Sequence, residues 1–170
     1  MPEAPLSCAE AVAENIVKIL SARKMTIAAA ESCTGGMAAD LIVCVPGASK
    51  VFWGSFVCYT KDAKIKMLGI PEALLKDHGV VSREAAAALA EGALKKSGAS
   101  WAFSVTGLAG PDGDGSNEVG TVWIAAAGAK KGEAAAGTEA RKYLFGGGRG
   151  EVRKKAALAA LELVLEKISQ

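Results

Sequence analysis

Three strand-like runs, Trp101 to Thr106, Gly120 to Ala127 and Arg141 to Phe145, follow one another with no helical pattern between them. Strands in such succession pair antiparallel, because a parallel crossover is usually made by a helix. The two earlier runs, Met25 to Ala30 and Val51 to Tyr59, are each followed by helical patterns instead. Both habits in one chain predict an α/β fold. It is expected to be a three-layer α/β/α sandwich with a mixed, mainly parallel sheet of five or six strands. The strands alternate little between apolar and polar residues, as expected when both faces of the sheet are covered.

The helical patterns are punctuated by local signals. Ser7-Cys8-Ala9-Glu10 reads as a capping box opening a helix over residues 8–22. Met37 to Cys44 is helical until Pro46-Gly47 stops it, and Lys61 to Leu68 follows the second strand. Pro71 suits the first turn of a short helix that exits at Gly79. Ser82 and Gly98 bracket an alanine-rich helix over residues 83–97, and a last helix runs from near Gly150 to Ile168. At 170 residues the chain has the size of one core, so residues 1–170 read as a single domain.

Twenty basic residues against eighteen acidic ones leave a formal charge of +2. Nucleic-acid binding needs a concentrated basic face, and the pairs Lys130-Lys131 and Lys154-Lys155 read as solvated surface. Cys8, Cys33, Cys44 and Cys58 form no C-x-x-C motif. No apolar stretch approaches a membrane span, and Met1 to Pro5 lacks the pattern of a signal peptide. The expectation is a cytoplasmic protein with free thiols, no membrane contact and no nucleic-acid partner.

Ser32 is the first candidate for chemistry. It lies in the strand-to-helix turn Glu31-Ser32-Cys33-Thr34-Gly35-Gly36, where unpaired amides at a helix mouth can stabilise an oxyanion. The competing role for Ser32 or Thr34 is that of a helix cap. Cys33 reads as a buried, inert thiol. A serine nucleophile needs a base, and the one histidine, His78, sits at a helix exit, a position better suited to the dipole. A lysine whose pKa is lowered can serve instead, and Lys61, Lys64 and Lys66 all follow the second strand. Tyr59 at that strand's end could relay a proton or orient the lysine. The loop 107–120, starting at Thr106-Gly107, is a plausible substrate cradle, although its acids Asp112, Asp114 and Glu118 do not fit a calcium loop. Gly146-Gly147-Gly148-Arg149 at the start of the last helix could hold an anion.

Five segments together resemble a known family. They are Ala30 to Gly36, Tyr59 with Lys64, His78 to Ser82, Thr106-Gly107-Leu108-Ala109-Gly110-Pro111, and Val119-Gly120-Thr121-Val122. The chain is similar to the CinA C-terminal domain family of competence/damage-inducible proteins, which includes stand-alone PncC-type amidases. It departs from the family's pattern at Asn117-Glu118, where Lys-Pro is common, and at Gly148, where aspartate is common. The resemblance implies hydrolysis of nicotinamide mononucleotide to nicotinic acid mononucleotide and ammonia, without metal or cofactor, by a homodimer with the sandwich fold described above. It implies Ser32 as nucleophile, Lys64 as base and Tyr59 as its helper. Thr34, Gly35 and Gly36 would serve the oxyanion, and Thr106, Gly107, Gly110 and Arg149 the nucleotide. The alternative is a non-catalytic nucleotide-binding or regulatory module related to competence or DNA damage.

Overall fold

The computed structural model describes residues 8–128 and 137–170. The capping box expected at Ser7, the first residues Met1 to Pro5 and the Lys130-Lys131 pair lie outside them. The chain begins α1 (Cys8–Arg23), β1 (Ile27–Glu31), α2 (Met37–Val43), a 3-10 turn (Ala48–Lys50) and β2 (Phe52–Val57). Three helices follow, α3 (Lys61–Leu68), α4 (Glu72–His78) and α5 (Arg83–Ser97), then β3 (Trp101–Gly107), β4 (Thr121–Gly128), β5 (Gly137–Leu144) and α6 (Arg149–Ile168).

The five strands form one sheet in the order β2-β1-β3-β4-β5. β1 pairs in parallel with β2 and β3, whereas β4 runs antiparallel to β3 and β5. Four strands therefore share one direction and only β4 opposes them. The mixed α/β sandwich expected from the succession of patterns is the observed architecture.

Two apolar clusters cover the two faces. On one face Ile16 and Leu20 of α1, Ile42 of α2 and Leu161 and Val164 of α6 pack against Ile27, Phe103, Val122 and Ile124. On the other, Ala85, Ala86, Ala90 and Ala93 of α5 meet Ala28, Ala30, Ala102, Ala125 and Ala127. Alanine on both partners lets α5 lie close to the sheet, near enough for the Ser104 hydroxyl to donate to the Ala86 carbonyl at 2.6 Å.

Most strand boundaries shift by one or two residues, β2 ending at Val57 rather than Tyr59, and the largest difference is at β5. β5 begins at Gly137 rather than Arg141, because its polar and small first half is held by pairing with β4, from Gly128 opposite Gly137 onward. Pro71 stands at the N-cap of α4, one position ahead of its first turn.

Candidate active site

In an open α/β sheet, ligands bind outside the carboxyl ends of strands where neighbouring connections diverge. Here that place is the end of β1, which connects toward β2 while β3 lies on its other side. The Ser32 N–H donates to the Val105 carbonyl at 2.9 Å, and the Cys58 N–H to the Glu31 carbonyl at 2.9 Å. The hydrogen-bond ladders on both sides of β1 thus run right up to Ser32 and Cys58. A cavity of about 270 Å³ opens there, lined by Ser32, Cys33, Tyr59, Lys61 and Lys64 on one side and by residues 106–110, Asp112 and Arg149 on the other.

Lys64 is the decisive side chain. It is 1% exposed, and its Nζ donates to Ser32 Oγ at 2.8 Å, the Cys58 carbonyl at 2.9 Å and the Tyr59 carbonyl at 3.4 Å. The Thr60 hydroxyl starts α3 by accepting from the Ala63 N–H, which sends Lys64 back under the end of β2. Burial lowers the Lys64 pKa from its ordinary value, opposed in smaller measure by the neighbouring Cys58 and Cys33 thiols. Two of the three polar neighbours are carbonyls, which only accept. A neutral amine satisfies both with its two N–H bonds and turns its lone pair to the one group that can donate, the Ser32 hydroxyl. Lys61 instead pairs with Glu72 at 3.0 Å and Lys66 with Asp62 at 3.0 Å, both on the surface.

Ser32 itself is 7% exposed and does not cap α2, whose N-cap is Gly36. That role falls to Glu31, which the sequence reading passed over. Its fully buried carboxylate accepts from the Gly36, Ala38 and Ala39 N–H groups at 2.9–3.1 Å and from the Ser55 hydroxyl at 3.0 Å. An acid just ahead of a helix start was the visible signal.

The oxyanion expectation is corrected by the same contacts. The Gly36 N–H is taken by Glu31, and the Gly35 N–H by the Ser32 carbonyl at 3.1 Å, so neither glycine has an amide to offer. Thr34, Gly35 and Gly36 do not line the cavity, and the buried Thr34 hydroxyl has no hydrogen-bond partner among the described residues. Because the Ser32 carbonyl faces Gly35, the Cys33 N–H on the same planar peptide points the opposite way.

Tyr59 also differs from expectation. Its main-chain carbonyl faces Lys64, while its half-exposed ring carries the hydroxyl to Arg149, whose Nη2 donates to it at 2.7 Å. Arg149 Nη1 donates to the Gly110 carbonyl at 2.8 Å, so this guanidinium joins the two walls of the cavity. The expected anion site on the amides of the last helix is partly filled from within, since the Gly148 N–H donates to Glu151 at 2.9 Å. Thr106 and Gly107 do line the cavity. The Thr106 hydroxyl donates to the Val80 carbonyl at 2.7 Å, and a Cβ at Gly107 would stand 2.6 Å from the Thr121 carbonyl oxygen. Glycine at 107 thus serves the close approach of β4.

Burial pushes the Cys33 thiol up to about 11, so it stays protonated and inert. His78 ends α4, half-exposed, with Nδ1 3.8 Å from Glu84 and away from the cavity. Asp114 accepts from the Ser116 and Asn117 N–H groups and so shapes its own loop. Among the described residues no group of three His, Cys, Asp or Glu side chains could hold a metal ion. No helix among them is long and apolar enough to cross a membrane.

Residues 9–168 match the model of the CinA C-terminal domain. The chain belongs to that family. It is 46% identical over 152 residues to a CinA-like protein of Anaeromyxobacter sp. (strain K), covering 89% of this chain and 36% of that protein. A CinA-like protein of Thermotoga sp. (strain RQ2) is 42% identical over 154 residues, covering 90% and 36%. The CinA domain described here thus spans about a third of the length of these curated relatives. The solved competence/damage inducible protein CihA from Agrobacterium tumefaciens superposes with a TM-score of 0.89 at 34% identity, covering 100% of both chains. The competence damage-inducible protein A from Klebsiella pneumoniae subsp. pneumoniae MGH 78578 gives 0.89 at 28% identity, covering 96% of this CinA domain and 99% of that chain.

Proposed function

We propose that this CinA domain is a serine amidase hydrolysing nicotinamide mononucleotide to nicotinic acid mononucleotide and ammonia. The observation that carries the reading is the 2.8 Å hydrogen bond between the buried Lys64 amine and the Ser32 hydroxyl at the floor of a cavity. Serine–lysine pairs are an established variant of the nucleophile–base arrangement.

Neutral Lys64 takes the proton of Ser32 as the hydroxyl oxygen attacks the carboxamide carbon. The Cys33 amide holds the developing oxyanion. Protonated Lys64 then gives its proton to the amide nitrogen, the C–N bond breaks, ammonia leaves, and an ester joins the nicotinoyl group to Ser32. Water attacks that ester while Lys64 accepts its proton. Ser32 departs, regains the proton, and the acid is released. Arg149 and the 107–120 loop hold the phosphate and ribose, giving binding energy remote from the reacting bond with which to orient the carboxamide.

Ammonia release tests the reading. The mononucleotide should be turned over far more efficiently than free nicotinamide, and Ser32→Ala should abolish turnover while leaving the fold intact. A nucleotide-binding or regulatory module without chemistry predicts binding of the mononucleotide and no ammonia. Equal efficiency on both amides would remove the phosphate-binding part of the proposal.

A further inference from the structure

Two arginines four residues apart on α6 reach the site from one helix face. Arg149 spans the walls of the cavity, as described, while Arg153 goes to the turn that carries Ser32. Arg153 Nε donates to the Cys33 carbonyl at 3.0 Å and Nη2 to the Thr34 carbonyl at 2.8 Å. The planar guanidinium thus grips two successive carbonyls of one turn from a position 119 and 120 residues away in sequence.

Ser32 to Gly35 is a β-turn closed by the Gly35 N–H on the Ser32 carbonyl at 3.1 Å. In such a turn the central peptide can face either way, and its orientation decides whether a carbonyl or an N–H is presented on a given side. Peptides are planar and trans, so a carbonyl held on Arg153 turns the N–H of the next residue away from it. The Cys33 carbonyl on Arg153 fixes the Thr34 N–H, and the Thr34 carbonyl on Arg153 fixes the Gly35 N–H that closes the turn. Gly35, at a φ of +61°, has no Cβ to penalise a flip of the peptide before it. For the Thr34–Gly35 peptide the restraint comes from outside the turn, whereas a flip of the central Cys33–Thr34 peptide is already opposed by Thr34, which it would drive to positive φ.

We infer that Arg153 is a positioning residue for the amidase chemistry: by holding the Thr34 carbonyl it keeps the Gly35 N–H on the Ser32 carbonyl, and the closed turn keeps the Cys33 N–H, the one donor offered to the oxyanion, pointing away from Gly35. The inference rests on the serine-amidase reading above and deepens it. Arg153 does not line the cavity, so it acts through the turn and touches no substrate.

The test separates nucleophile chemistry from substrate choice by using a fluorophosphonate probe, which reacts with an activated serine whatever the natural amide. Wild type should label at Ser32 and Ser32→Ala should not. Arg153→Gln should label about 100-fold more slowly, the usual consequence of losing one oxyanion donor. Arg153→Lys, which keeps the charge but not the fork, should fall between. The pH midpoint of labelling should stay at its wild-type value, because the surroundings of Lys64 are untouched. For the mononucleotide, kcat should fall with KM within about twofold of wild type. Millimolar guanidinium should restore at least tenfold of the lost rate in Arg153→Ala.

Variants that label at the wild-type rate while only their melting temperature falls would overturn the inference and leave the amidase reading intact. Should Arg153→Gln fail to fold, Arg153→Lys decides by the same criteria. A wild type that labels at Ser32 but releases no ammonia from the mononucleotide would overturn the substrate and leave the role of Arg153 standing. A wild type that does not label would overturn both.

Discussion

Lys64 shows how far a single side chain's chemistry depends on where the chain puts it. Lys61, Lys64 and Lys66 are equivalent by composition, yet two lie in surface ion pairs and one is sealed beneath a strand end. Desolvation disfavours its ammonium form, so the free base is populated below the ordinary lysine value of 10.5. The sign of the pH dependence follows. On the amidase reading protonated Lys64 cannot accept the Ser32 proton, so kcat/KM should rise with pH and level off once Lys64 is neutral, with a midpoint below 10.5. A midpoint at the ordinary lysine value, or a flat profile, would exclude Lys64 as the base. Lys64→Met keeps the buried alkyl length without a base, and activity should drop by roughly 100- to 10,000-fold, the usual worth of general-base catalysis. The sequence could place a hydroxyl at a helix mouth and a lysine within reach, but which lysine is buried is settled by tertiary packing. Its i,i+4 relation to buried Leu68 was the one local hint.

Helix ends account for most of what could be read from the sequence and for what could not. α3 and α5 begin and end where expected because their stops are local: Thr60 and Ser82 accept from the Ala63 and Ala85 N–H groups, and Gly69 and Gly98 take left-handed exits. The start of α2 is different. Its amides look open in the sequence, but the Glu31 carboxylate, five to eight residues upstream in the chain, fills three of them and is steadied by Ser55 from β2. Glu31→Gln replaces a charged acceptor by a neutral group that can accept with only one atom. Hydrogen bonds to charged groups contribute about 1.5–3 kcal/mol each, so unfolding free energy in urea should fall by roughly 2–4 kcal/mol. Ser55→Ala removes one bond of the four and should cost only about 1 kcal/mol. Equal losses in the two variants would mean that Glu31 does not hold the helix start. β5 was the weakest element in the sequence for the opposite reason, since its first residues carry no strand signal of their own and owe their conformation to β4.

The whole molecule is one sheet shared by two apolar layers, and the layers should melt together. Half-buried Trp101 packs against the layer of α1, α2 and α6, whereas half-buried Trp123 packs against that of α3, α4 and α5. With the exposed Trp53 replaced by Phe in both, fluorescence followed in Trp123→Phe reports the first layer, and in Trp101→Phe the second. Both should show one transition coincident with far-UV circular dichroism, because β1, β3 and β4 give side chains to each layer. Separate transitions would divide the domain into two folding units. On the amidase reading the order of the strands also separates what reacts from what recognises. Ser32 ends one ladder and Lys64 returns beneath the end of the neighbouring one from α3, so their spacing is set by the sheet together with the Thr60 cap that starts that helix. The opposite rim, residues 107–112, makes no hydrogen bond to Ser32 or Lys64, so its side chains can change without disturbing that pair. On the amidase reading, such a protein could acquire a new amide to cleave by rewriting one rim, with its reactive pair left as it stands.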